Sequence, residues 1–192
     1  MQIRQVFDQY PGPRDDGLGR MTWCPDCGSV CDIRAEGVEK RRFCARCRKY
    51  HYVNPSSSVS VFVSKDDEFV LCRRQSSGFG ASMWCLPCGF IEYDEDFHTA
   101  ALRETKEETG LDIRVQSIIS VSSNFLNRRS HTLTMVLLGE PVGGRLEGGD
   151  DIVEVRWFHL ADELSPMAFE ADKHLIARYS EAPIVGAPVL TV

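Results

Sequence analysis

Nothing in this 192-residue chain is apolar for long enough to span a bilayer, and its first twenty residues hold no hydrophobic run of signal-peptide length. Positive charge is also scarce: 22 Lys and Arg stand against 28 Asp and Glu, a formal net charge of −6. A surface of that sign disfavours nucleic acid as the main partner, since phosphate chains are held chiefly by cations. Repeats and low-complexity runs are absent too, which excludes solenoid and linker-like architectures. What is left is the composition of a globular protein, 43% hydrophobic and 26% charged, able to bury a core. The expected location is the cytoplasm, with no membrane partner and with thiols kept reduced.

Cysteine, by contrast, is plentiful. Eight thiols in a reducing compartment call for a metal or catalytic explanation before a disulfide framework. Four fall as Cys24-x-x-Cys27 and Cys44-x-x-Cys47, with sixteen residues between the pairs. Each two-residue turn aims two thiolates at one point, and a hairpin-length spacer brings in the second pair to close a tetrahedron. The expectation is a zinc ribbon with structural Zn²⁺, its folding free energy supplied by the metal. Cys31 is a competing ligand by position. Seven basic residues and Phe43, Tyr50 and Tyr52 could let the ribbon hold a phosphate, although such charges are more often the solvated outside of a small knuckle.

Punctuation divides the rest. The stretch YHYVNPSSS reads as a linker. The expected units are a tail at 1–20, the ribbon at 21–54, a larger domain at 55–182 and a tail at 183–192. In the larger domain, VSVFVS and FVLCRR flank the turn KDDE as a hairpin. A helix is expected from Asp94 to Thr109, then the strands DIRVQSIISVSS, HTLTMVLLGE and DIVEVRWFHL, and a final amphipathic helix from Phe169 to Tyr179. Strands with helices between them and at the end indicate an α/β (α+β) fold, a mixed sheet with helices on its faces.

The sharpest signal is GFIEYDEDFHTAALRETKEETGL, Gly89 to Leu111. Asp94 is placed to cap the helix, with Glu95 and Asp96 in its first turn, and Gly110 to end it. Phe97, Ala100 and Ala101 share a face with Glu104, Glu107 and Glu108. Three glutamates in the last two turns put negative charge where the helix dipole is already negative, and Glu104 and Glu108 repel one another. Arg103 and Lys106 offset only part of that repulsion. An external hard cation, Mg²⁺ or Mn²⁺, would complete the arrangement and bind substrate phosphates.

This frame resembles the Nudix box, G-x5-E-x7-R-E-U-x-E-E-x-G-U, where U is aliphatic. Its positions are filled by Gly89, Glu95, Arg103, Glu104, Glu107, Glu108, Gly110 and Leu111, with Thr105 at the first aliphatic site. The preceding ribbon and linker resemble the zinc-ribbon branch of Nudix hydrolases, which includes NADH, FAD and ADP-ribose pyrophosphatases. The resemblance implies a Nudix αβα sandwich and metal-dependent hydrolysis of a nucleoside diphosphate linked to another moiety. It also implies that Glu104, Glu107 and Glu108 bind Mg²⁺ or Mn²⁺, that Arg103 orients them, and that Glu95 is structural. Relatives often draw a base from outside the box. Glu154 is the candidate here, with Glu147, Asp150 and Asp151 as competitors.

The expected partner is a small-molecule nucleotide, and because many members of the family dimerise, a homodimer is the candidate assembly. Phe125, Tyr52, Trp84 and Phe169 could stack a base, and Arg128 and Arg129 could meet phosphates, although core packing or a solvated turn is the commoner role for each. SPMAFEADK keeps only a fragment of the NADH-pyrophosphatase motif, which leaves ADP-ribose and FAD level with NADH. Alternative readings are nucleoside triphosphate sanitation releasing pyrophosphate, or a non-catalytic sensor with a nucleic-acid-binding ribbon. Cys85 and Cys88, a third Cys-x-x-Cys pair, lead directly into Gly89. They are read as packing residues, because no helix starts there to activate a dithiol.

Overall fold

Alternating apolar residues become the centre of the molecule because both faces of the main sheet are covered. The computed structural model describes residues 4–189. In chain order its elements are β1 (Val6–Asp8), β2 (Asp32–Glu36), β3 (Glu39–Cys44), β4 (Lys49–His51), β5 (Ser56–Lys65), β6 (Glu68–Arg74), β7 (Trp84–Cys85) and β8 (Cys88–Phe90). Then come α1 (Phe97–Thr109), β9 (Leu111–Asn127), β10 (Ser130–Gly144), β11 (Ile152–His159), α2 (Glu170–Glu181) and β12 (Ala187–Pro188).

Strands β2, β3 and β4 form a small antiparallel sheet of their own. The main sheet runs β1-β9-β10-β5-β6-β11, with β8 added to β5, β7 to β6 and β12 to β9. It is mixed, as expected: β5 and β10 are parallel from Ser56/Thr132 to Val63/Gly139, while β9 and β10 are antiparallel. Side chains alternate between the faces of a strand. Val59, Val61, Val63 and Val70 therefore pack on one face against Ala100 and Ala101 of α1. Phe62, Phe69 and Leu71 pack on the other against Leu175 and Ile176 of α2. The result is the helix–sheet–helix sandwich. Each of the buried valine, leucine, isoleucine and phenylalanine side chains contributes roughly 1.5–3 kcal/mol relative to exposure.

The catalytic-type helix starts later than Asp94. Asp96 is its N-cap, with Oδ1 accepting from the Thr99 N–H at 2.8 Å. Glu95 lies before the helix and accepts instead from the Glu92 N–H at 3.0 Å and from Arg103. The cap expected at Asp94 is thus supplied two residues later, and Glu95, expected in the first turn, is taken up by Arg103. At the other end Gly110 sits at φ 72°, and a Cβ there would lie 2.3 Å from the Arg145 carbonyl oxygen, so glycine is required twice over. Thr105 is fully buried at the position where the motif has an aliphatic residue, and its hydroxyl has no partner. Its methyl fills the apolar place.

Residues read as tails also contribute. Val6–Asp8 joins β9 in parallel with Phe7 buried, and Ala187–Pro188 pairs with Ile118 and Ser117. No helix among the described residues is long and apolar enough to cross a membrane.

Candidate active site and thiolate cluster

Helix α1 brings Glu104 and Glu108 to a cleft of about 390 Å³. The guanidinium of Arg103 is the hub. Its Nε and one terminal nitrogen bond both oxygens of Glu95, its other terminal nitrogen donates to Glu104 Oε1 at 2.8 Å and Glu107 Oε2 at 3.1 Å, and it also donates to the Phe90 carbonyl at 3.1 Å. These contacts hold Arg103 firmly charged, Glu95 contributing most. Bidentate pairing of this sort fixes orientation as well as charge.

Gly89 on β8 makes room for Glu104: a Cβ at that position would lie 2.0 Å from the Glu104 carboxyl carbon. Burial raises the Glu104 pKa, and Arg103 works against that rise.

Glu108 is the deepest of the three, 2% exposed, with the Cys88 N–H donating to Oε2 at 2.8 Å. Desolvation pushes its pKa up to about 8, opposed by that N–H bond and reinforced by the charges of Glu104 and Asp151. Glu107, by contrast, is half exposed.

The oxygens of the three glutamates do not form a group lying within 4.8 Å of one another, because Arg103 holds two of them and Cys88 the third. The donors nonetheless suit a hard divalent cation. All are carboxylate oxygens, and Glu108 is a buried carboxyl whose ionised form lacks a cationic partner at hydrogen-bonding distance.

The remaining sequence candidates are dispersed. Glu154 on β11 is engaged by Arg73 at 2.7 Å and Arg156 at 3.1 Å, and it is not among the described residues lining the cleft. Asp150 and Asp151 do line it, with Asp151 paired to Arg74 at 3.0 Å. Trp84 is core, and Tyr52 donates its hydroxyl to Glu36. Phe169 stacks on Phe79 at 5.5 Å at the cleft, whereas Phe125 stacks on His131 beside a separate pocket with Arg128 and Arg129. The segment SPMAFEADK docks through Pro166 and Ala168, whose backbones bond Trp84.

Cys85 is fully buried with Cys72, Ile152 and Ala168, and Cys88 packs against that group. Its hydrogen bond with Cys85 and its burial both raise the Cys88 thiol well above its ordinary value. The burial of Cys85 and the raised Cys88 thiol fit a packing role.

In the small sheet, the sulfurs of Cys24, Cys27, Cys44 and Cys47 lie within 4.8 Å of one another. The Cys24–Cys47 and Cys27–Cys44 separations are 3.8 and 3.6 Å. A tetrahedron with 2.3 Å metal–sulfur bonds needs edges of about 3.8 Å. Cys31 groups instead with Cys24 and His51.

Asp172, on α2, was not legible as a site residue. It is 6% exposed, lines the cleft, and accepts from the Leu86 N–H at 3.0 Å.

A glutamate-bearing helix end, set over a mixed sheet and opening on a cleft, defines a carboxylate site of the hydrolase type. The NUDIX domain profile matches residues 54–179, and the chain belongs to the NUDIX family. It is 36% identical over 128 residues to the ADP-ribose pyrophosphatase of Methanocaldococcus jannaschii, covering 66% of this chain and 75% of that protein. It is 32% identical over 159 residues to the NAD-capped RNA hydrolase NudC of Stutzerimonas stutzeri, covering 82% of this chain but 53% of that protein, so it spans about half the length of that relative. A crystal structure of a NUDIX hydrolase from Nitrosomonas europaea superposes with a TM-score of 0.73 at 26% identity, covering 84% of this chain and 91% of that one.

Burial raises the Asp172 pKa from 3.8 to about 7. A carboxyl raised in this way is neutral in the folded protein over a range where the unfolded chain ionises. Its contribution to stability therefore falls as pH climbs from about 4 to about 7, and is level above. Asp172→Asn removes that dependence. The melting-temperature gap between variant and wild type, measured in chelator, should widen through this window; parallel curves would contradict the burial.

Proposed function

We propose that this protein hydrolyses the diphosphate of a nucleoside diphosphate linked to a second group, of the ADP-ribose, NADH or FAD type. The products are a nucleoside monophosphate and a second phosphorylated compound. The observation that carries this reading is the pair Glu104 and Glu108, set at the buried end of α1 and facing a cleft large enough for a nucleotide. Similarity to an ADP-ribose pyrophosphatase and to NAD-capped RNA hydrolases supports the substrate class. The NAD-type dinucleotide is the second reading, favoured by the latter relatives.

Glu104, Glu107 and Glu108 would hold Mg²⁺ or Mn²⁺. Bound there, a divalent cation polarises phosphoryl oxygens, lowers the pKa of a water and neutralises leaving-group charge. The chain's own part is positional. Arg103, anchored by Glu95, sets the angle of Glu104 and Glu107, and the Cys88 N–H sets that of Glu108. For the base outside the helix, Glu154 is tied to two arginines, so we assign the proton-accepting role to Asp150, which lines the cleft beside Glu104. The four-cysteine cluster is assigned to structural Zn²⁺, and the ribbon at 21–54 is treated as a unit preceding the hydrolase domain at 55–182, on the strength of its separate sheet. Eight unpaired thiols suit a reducing cytoplasm. A homodimer is the assembly we propose, and the acidic net charge makes extended nucleic-acid binding secondary.

Product analysis with Mg²⁺ over ADP-ribose, NADH, FAD, an NAD-capped oligoribonucleotide and 8-oxo-dGTP tests the proposal. AMP plus a second phosphorylated product is expected, and Glu108→Gln should lower kcat roughly 10²–10⁴-fold. Release of pyrophosphate from the triphosphate alone would support sanitation, and binding without turnover would support a sensor. Either result overturns the assignment. Separately, protein purified without chelator should carry one zinc per chain and lose it on Cys44→Ser; a zinc-free preparation that melts normally removes the structural metal.

A further inference from the structure

Interior positions on a covered sheet are normally apolar. On the α2 face this holds at one end, where Phe62, Ile119 and Val136 cluster with Leu175 and Ile176. At the other end the same face carries Ser58 and Ser60 on β5, Thr132 and Thr134 on β10, and Ser122 and Asn124 on β9. Thr134 lies opposite both Ser58 and Ser122, and Thr132 opposite Asn124. All six are buried, and all six line the cleft that Glu104 and Glu108 enter.

These groups form one network. Asn124 Nδ2 is within hydrogen-bonding reach of Thr134 Oγ1 at 3.0 Å, Ser122 Oγ at 3.2 Å and Thr132 Oγ1 at 3.3 Å, and the hydroxyls of Ser58 and Thr134 are 2.8 Å apart. The network fixes the amide and leaves two buried atoms without a partner, Asn124 Oδ1 and Ser60 Oγ. An unpaired buried polar atom is destabilising, so a chain shaped only for stability would carry valine or alanine there. The floor itself contains no cationic side chain; Arg74 lines the same cleft but is paired to Asp151 at 3.0 Å, and Glu104, Glu108 and Asp172 border it as well. That setting disfavours a phosphate. A neutral group with several hydroxyls, each able to donate once and accept twice, suits it well.

We infer that this floor binds a ribosyl moiety of the substrate, with Asn124 Oδ1 accepting from one ribose hydroxyl and Ser60 Oγ bonding to a neighbouring one. The inference deepens the dinucleotide reading above and rests on it. The stacked Phe79 and Phe169 at the same cleft offer a face for a base attached to that sugar.

The test is steady-state kinetics on ADP-ribose, or NADH if that is the better substrate, and on analogues lacking the hydroxyls of either ribose. Ser60→Ala removes a buried oxygen that has no partner in the protein, so it should fold with a melting temperature at or above that of wild type. It should raise KM about 5–20-fold with kcat within about twofold, and Asn124→Ala should raise KM about 10–100-fold. On the analogue missing the bound hydroxyls the wild-type KM should already be high, and Ser60→Ala should add nothing, because the two changes remove one interaction. Unchanged KM in Ser60→Ala, or additive losses with every analogue, overturns the ribosyl site while leaving hydrolysis intact. Wild-type protein inert toward all the dinucleotides overturns the reading beneath it, and the site with it.

Discussion

A carboxyl group taken out of water sets the terms for the rest of this molecule. Glu108 is buried at the end of a helix whose dipole is negative there, next to a second desolvated glutamate. Only the Cys88 N–H and the more distant charge of Arg74 favour its ionised form. The surrounding structure follows from tolerating it. The β8 backbone must lie close to α1 to deliver that N–H. Gly89 must lack a side chain so that Glu104 can lie against the same backbone, and Gly110 must turn the chain sharply away after Thr109. Arg103 keeps Glu104 and Glu107 from repelling one another apart, and Glu95 keeps Arg103 in place. Stability alone would not produce this arrangement, but it is suited to receiving a cation.

The cleft combines two kinds of chemistry. Carboxylates from α1 and the loop before β11 line it together with a hydrogen-bonded hydroxyl floor from three strands and two stacked aromatic rings. A substrate with a charged diphosphate and neutral sugars matches that combination. The sulfur cluster lies with a small sheet distinct from the main one.

The helix motif and the cysteine pairs were legible in the sequence because their spacing is set by one local element each, a helix face or a two-residue turn. The hydroxyl floor was not legible. In SSSVSVFVSK the serines alternate with valines, the usual sign of a strand with one wet face. Here α2 and the cleft cover that second face, and only tertiary packing reveals it. Asp172 was silent for a similar reason: an acid in the first turn of a helix carries no sign that the turn borders a cleft. The cap expected at Asp94 falls at Asp96, because the helix begins only at Phe97 and Glu95 pairs with Arg103. Glu154 sits where strand alternation puts it, beside Arg73 and Arg156, and no pattern in the sequence announced that those arginines would hold it.

The burial of Glu108 can be measured directly by ¹³C NMR of its carboxyl, with Glu108→Gln to assign the signal. In chelator the group should titrate near 8, and saturating Mg²⁺ should bring that titration down by several units. A titration in the ordinary carboxylate range without metal, or one that Mg²⁺ leaves in place, would contradict the account.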